Sequence, residues 1–167
     1  MKTYRAPWSR FLILVSTFAT LFLVGISVLT WVKSPHAWIV WLILTPTVVG
    51  CALFTVRGYM LTDKDLYIKR LLWNTRIPLT GLRDVKSIPN AMQRSIRLFG
   101  NGGLYSFTGL FRNSQLGSYR AFVTDPKSTV VLWLPKRVVV LSPGEPDRFA
   151  RDVAEQAGLV IGSGGTS

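Results

Sequence analysis

Two long apolar runs, separated by four residues, constrain this chain more than any other feature. Phe11 to Val32 is 22 residues without a charge, and Ala37 to Val56 is 20 residues, again without one. At about 1.5 Å per residue these would make helices of roughly 33 and 30 Å. The hydrocarbon core of a bilayer is about 30 Å thick. Backbone N–H and C=O groups in lipid must bond within the protein, so each run is predicted to be a helix. The break is Lys33-Ser34-Pro35-His36. The predicted architecture is a two-helix transmembrane hairpin over 11–56. A basic leader, 1–10, precedes it; a soluble domain, 57–158, and a flexible tail, 159–167, follow.

A secretory signal is the competing reading of the N-terminus. Its apolar core would be about 7–15 residues, shorter than the first run, and a small-x-small cleavage site would follow. Thr30-Trp31-Val32-Lys33 offers none, so an uncleaved span is expected. Lys2, Arg5 and Arg10 precede the first run, Lys33 alone lies between the runs, and Arg57, Lys64, Lys69 and Arg70 follow the second. The positive-inside rule then puts both ends in the cytoplasm. The expected localisation is the cell (inner) membrane, multi-pass, with the N-terminus and the C-terminal domain cytoplasmic. Trp8, Trp31 and Trp38 stand at span ends, where indole rings favour the headgroup zone. Pro46 is expected to kink the second helix. Neither run holds an ionisable carboxylate, Lys, Arg or His, the groups that ion and substrate pathways use. The hairpin therefore reads as a passive anchor. Cys51, the one cysteine, lies in the second run, and no intrachain disulfide can form.

All 8 acidic residues and 16 of the 20 basic ones follow the hairpin, so the remainder carries a net +8. Such a surface suits anionic headgroups; no nucleic-acid motif accompanies it. Past Val56 the pattern changes to short alternating segments between turn residues. Strands are expected at 57–61, 66–73, 76–79, 104–111, 119–123, 128–134 and 137–141, with Val85 and Ile88 buried within 82–89. Turns are expected at Thr62–Asp65, at Asn74-Thr75 and at Phe99–Gly103, with Asn101-Gly102 as the hairpin signal. Gly109 suggests a bulge. Ser142-Pro143-Gly144-Glu145 has capping-box spacing, and Phe149, Ala150, Val153 and Ala157 form a stripe at helical period.

About seven short strands and then an amphipathic helix resembles the pleckstrin-homology (PH) layout. The residues are similar to bacterial PH-like domains fused to membrane spans. The likeness runs from about Tyr59 to Gln156. It rests on Leu66-Tyr67-Ile68, Ile77-Pro78-Leu79 before Val85, Arg97-Leu98-Phe99-Gly100-Asn101-Gly102-Gly103, Gly109, and Val139-Val140-Leu141-Ser142-Pro143 ahead of Phe149. The resemblance implies a β-rich (α+β) domain of about seven antiparallel strands in two orthogonal sheets, capped by the C-terminal helix. It supplies a fold and a setting rather than an activity.

The soluble part has no histidine and no cysteine, which excludes Ser-His-Asp and Cys-His catalysis and a His/Cys zinc site. Asp63 and Asp65 flank Lys64 and read as turn formers. No catalytic residue, metal or cofactor is expected, and the chain is read as no enzyme. Gly100 to Gly103 is followed by the strand-like Leu104-Tyr105-Ser106-Phe107, not by the helix and lysine of a phosphate cradle. The candidate contacts for anionic lipid or a partner are Lys64, Lys69, Arg70, Arg94, Arg97, Arg112, Arg120, Lys136 and Arg137. Two functions fit: a membrane-anchored interaction module that binds a protein partner or forms a homo-oligomer, and a sensor of anionic headgroups or a small ligand.

Overall fold

A computed structural model describes residues 1–33 and 37–159 of the chain. The expected outer turn at Ser34–His36, and the predicted tail from residue 160 onward, lie outside the described residues. The elements in order are β1 (Lys2–Arg5), α1 (Arg10–Lys33), α2 (Ala37–Leu53), β2 (Gly58–Leu61), β3 (Asp65–Lys69), β4 (Asn74–Pro78), β5 (Asp84–Ser87), β6 (Ile96–Gly102), β7 (Phe107–Asn113), β8 (Gly117–Val123), β9 (Val130–Leu134), β10 (Arg137–Leu141) and α3 (Pro146–Gln156).

The strands form two sheets, one of order β1-β2-β3-β4 and one of order β5-β9-β10-β8-β7-β6. Alternation decides which side chains meet. Tyr59, Leu61, Leu66, Ile68 and Ile77 of the smaller sheet share one core with Phe122, Leu132, Val139 and Leu141 of the larger. Phe149 and Val153 of α3 complete it. The intervening residues of the larger sheet, Tyr119, Ala121, Val123, Val131 and Val140, build a second core on its other face, covered by Ala91 with Ile88 and Met92. Tyr59 is fully buried. Its hydroxyl donates to the Phe122 carbonyl at 2.6 Å and accepts from the Ser142 amide at 3.0 Å. Burial pushes its pKa up to about 12.

Several expectations change. The described residues hold ten strands, not about seven, and β8 with β10 is a parallel pair. The basic leader contributes one of the ten: β1 pairs with β2, Tyr4 opposite Tyr59 and Arg5 opposite Gly58. Both apolar helices are therefore inserted in the connection between two adjacent strands. Gly58 permits this closeness, since a Cβ there would stand 2.7 Å from the Tyr4 carbonyl oxygen. The second helix stops at Leu53 rather than Val56, and Val56 is fully buried in the domain core. α2 thus has 17 residues, and α1 is the one described helix long and apolar enough to cross a membrane.

The expected strand 66–73 breaks after Lys69, and Arg70 donates its amide to the Trp73 carbonyl at 3.0 Å across a turn. Asn74 and Thr75 begin β4 instead of turning. Asn101-Gly102 ends β6, and the turn closes beyond it, from the Gly103 amide to the Ser106 carbonyl. The register shift sits between Arg97 and Phe99, not at Gly109. Gly109 faces Gly100 across the pair because the two backbones nearly touch; a Cβ on either would come within 2.3 Å of the opposite carbonyl. The capping box does not form. Ser142 is buried, its Oγ accepts the amides of Thr124 and Asp125, and α3 starts at Pro146 without a side-chain cap.

Candidate functional site at the helix-facing end of the domain

Strand direction sorts the surface of the domain. β2 leaves α2, β3 returns toward it, and β1 runs into α1, so one row of the small sheet faces the helices. That row is Arg5, Gly58, Lys69 and Asn74. Arg57 precedes it, its amide bonded to the Lys69 carbonyl at 2.8 Å. The opposite end carries Asp63, Lys64 and Asp65, with Arg76 paired to Asp65 at 2.8 Å. Among the described residues none of the four ion pairs includes Arg5, Arg57 or Lys69.

At this end Arg70 is buried. Its Nη1 donates to the Phe54 carbonyl at 3.0 Å and its Nε to Thr75 Oγ1 at 3.1 Å. The guanidinium lies 5.1 Å from the Phe54 ring, 5.8 Å from Trp73 and 5.3 Å from Phe122. Phe54 is the residue after α2, so a cation sits where the helix leaves unpaired carbonyls and partial negative charge. Burial, and then the charge of Arg120, hold its pKa below the ordinary arginine value. Arg70 is a brace between α2 and the sheets, not a surface contact.

A second brace grips α1. Its Leu12 is fully buried. The Tyr105 amide donates to Ser16 Oγ at 2.9 Å, and its hydroxyl shares a 2.7 Å hydrogen bond with Thr20 Oγ1. Ser16 and Thr20 are four apart and so lie on one helix face. Thr124 Oγ1 donates to the Pro7 carbonyl at 2.7 Å, and the Trp8 ring lies 6.3 Å from that of Tyr105. Of the expected anchors, Trp8 thus stands beside the domain, and Trp31 and Trp38 are exposed at the far ends of the helices. β1 is tied to α3 as well: Lys2 Nζ donates to Asp152 Oδ1 at 2.9 Å and the Tyr4 hydroxyl donates to Oδ2. Burial works to raise the Asp152 carboxyl, but those two hydrogen bonds and the charges of Lys2 and Arg148 hold it below its usual value. Burial and the Asp152 contact push Tyr4 up to about 12.

The nine basic candidates do not form one patch. Lys69 and Arg70 lie at the helix-facing end. Lys64, Lys136 and Arg137 lie at the opposite end, the last two beside a cleft of about 290 Å³ lined also by Pro78 and Pro135. Arg94, Arg97 and Arg112 flank the β6–β7 side, where the Arg97 side chain lies over Gly102, and Arg120 on β8 is near enough to Arg70 for its charge to act there. Arg5 and Arg57 join Lys69 only through strand pairing, which separation in sequence conceals. Leu71, Leu72 and Trp73, also missed, form the exposed β3–β4 turn. The available signal was a pair of leucines where a turn was needed, since turns favour Gly, Pro, Asn, Asp and Ser. A second apolar surface is β6, an edge strand with Ile96, Leu98 and Phe99 exposed.

No curated protein and no solved structure matches the chain. A family model described as "Bacterial PH domain" matches residues 57–157. The two sheets and closing C-terminal helix are the architecture that this match implies, and the chain belongs to the bacterial PH domain family.

Proposed function

We propose that this chain is a membrane-anchored, non-enzymatic interaction module on the cytoplasmic face, with α1 and α2 as its hairpin anchor. Apolar side chains of both helices point outward, Phe18 being 72 % exposed and Leu42 65 %, and lipid is the environment that suits them. The pairing of β1 with β2 adds a constraint. Arg5 and Gly58 are partners and must lie on one side of any membrane. A chain that leaves through α1 must therefore return through α2, although α2 has only 17 residues, about 26 Å of helix. A bilayer thins to meet a short span at modest cost. The excess of basic residues at the domain end favours the cytoplasmic side. PH-like domains are in general non-catalytic, in keeping with the interaction reading.

One observation carries that reading. β6 presents an unpaired strand edge together with Ile96, 70 % exposed, and Phe99, 78 % exposed. Soluble proteins usually blunt such edges, and a partner that adds a strand uses them. Arg94, Arg97 and Arg112 surround it, so a partner strand with acidic side chains is favoured over a second copy of this basic chain. The test is a photo-crosslinking residue at position 99 of the full chain in native membranes. A discrete protein adduct is expected, lost on competition by the unlabelled chain. Adducts to lipid alone, or none, would overturn the reading.

A second reading, sensing of anionic headgroups, is favoured by the row of Arg5, Arg57 and Lys69.

A further inference from the structure

We propose that the β3–β4 turn, Leu71-Leu72-Trp73, is a wedge seated in the interfacial layer of an anionic bilayer, with Arg5, Arg57 and Lys69 resting on its headgroups. The inference depends on the helices lying in a membrane. β3 runs toward the end of α2, so its turn projects toward the side on which the helices lie. The tip is apolar, and Leu72 is 73 % exposed. The turn cannot fold back onto the domain. Trp73 stacks edge-on against Phe54 at 5.1 Å, and Arg70 beneath both is bonded to Phe54 and Thr75. Leucine and tryptophan at a rigid tip are the residue types that bury well at the acyl boundary.

The charges agree with the geometry. The row nearest the helices carries Arg5, Arg57 and Lys69 with no acidic residue, and the acids of the same sheet, Asp63 and Asp65, lie at the other end. Cationic side chains within a Debye length of an anionic surface are attracted to it, and acids are repelled. The domain would then meet the membrane at its two helices, at this turn and at the β6–β7 turn, where Tyr105 reaches Ser16 and Thr20 of α1. Such a hold would fix its orientation.

The test uses the full chain with Cys51→Ala, reconstituted in phosphatidylcholine vesicles with and without phosphatidylglycerol. A polarity-sensitive dye is placed in turn at Leu72→Cys, at Leu29→Cys within α1 and at Thr80→Cys at the opposite end of the domain. Lipid-borne quenchers are expected to reach the dye at positions 72 and 29 and aqueous iodide the dye at position 80. In the Arg57→Gln/Lys69→Gln background the ratio of seated to unseated turn should fall by roughly 30-fold, only where phosphatidylglycerol is present. Iodide access at 72 equal to that at 80, with 29 still lipid-protected, would overturn the wedge and leave the membrane reading standing. Iodide access at 29 as well would overturn both. An unchanged ratio in the double variant would remove the headgroup contact from the proposal.

Discussion

The hydroxyl of Tyr105 lies 2.7 Å from that of Thr20, although 85 positions separate them. Through this contact, and the Tyr105 amide on Ser16, the β6–β7 turn holds the first apolar helix. The PH-like domain is therefore braced against its helices rather than hung from a linker. Removing the hydroxyl in Tyr105→Phe should cost about 1 kcal/mol. A thermal melt of the detergent-solubilised chain would measure it, and faster amide exchange at Leu104–Ser106 should accompany the loss. An unchanged melt would mean that the hydroxyl contact with Thr20 contributes nothing.

The paired glycines separate close backbone approach from simple flexibility. Gly100→Ala or Gly109→Ala would force a Cβ to within 2.3 Å of a facing carbonyl oxygen, at φ of +105 or +144. Each should lower stability by about 3 kcal/mol or more, since strain adds to the clash. Gly117 also has a positive φ, +66, but a Cβ there would have nothing within 4 Å, so Gly117→Ala should cost only about 1–2 kcal/mol. Chemical denaturation of the three variants gives the comparison.

Arg70→Ala should destabilise the chain by about 2–3 kcal/mol, because a charged donor to the Phe54 carbonyl is lost. Arg70→Lys should recover only part of this. It restores charge but not the planar group set among Phe54, Trp73 and Phe122. Full recovery by lysine would show that charge alone matters at this position.

Stability should fall at both extremes of pH for different reasons. Tyr4 and Tyr59 are raised from 10.0 to about 12. The unfolded chain loses these protons first, so their contribution is complete below pH 10 and is lost as pH rises toward 12. Asp152 is held below its usual value. Its contribution is complete at neutral pH and is lost as pH falls through the carboxylate range. Tyr4→Phe should flatten part of the alkaline decline and Asp152→Asn part of the acid one. Melting temperature against pH for the parent and both variants tests the pair.

Much of the fold was legible along the chain because its signals are local. Uncharged runs marked both helices, period-two alternation marked Leu66-Tyr67-Ile68, a short apolar run after the Pro135-Lys136 turn marked Val139-Val140-Leu141, and helical spacing marked Phe149 and Val153 as core. Boundaries were less legible. Val56 looks like the end of an apolar helix, yet its burial among strand residues decides its role. Ser142 has the spacing of a cap, but the amides of Thr124 and Asp125 compete successfully for its hydroxyl.

The amino-acid sequence by itself determined that this chain has two helices built on uncharged runs, a basic β-rich domain and a closing amphipathic helix. Each depends on residues within a few positions of one another. Only the tertiary structure decided that Lys2–Arg5 completes the small sheet, that Arg70 is a buried brace and that Leu71 and Leu72 form an exposed tip. Those outcomes depend on strand register, and register is set by contacts between residues far apart in the chain.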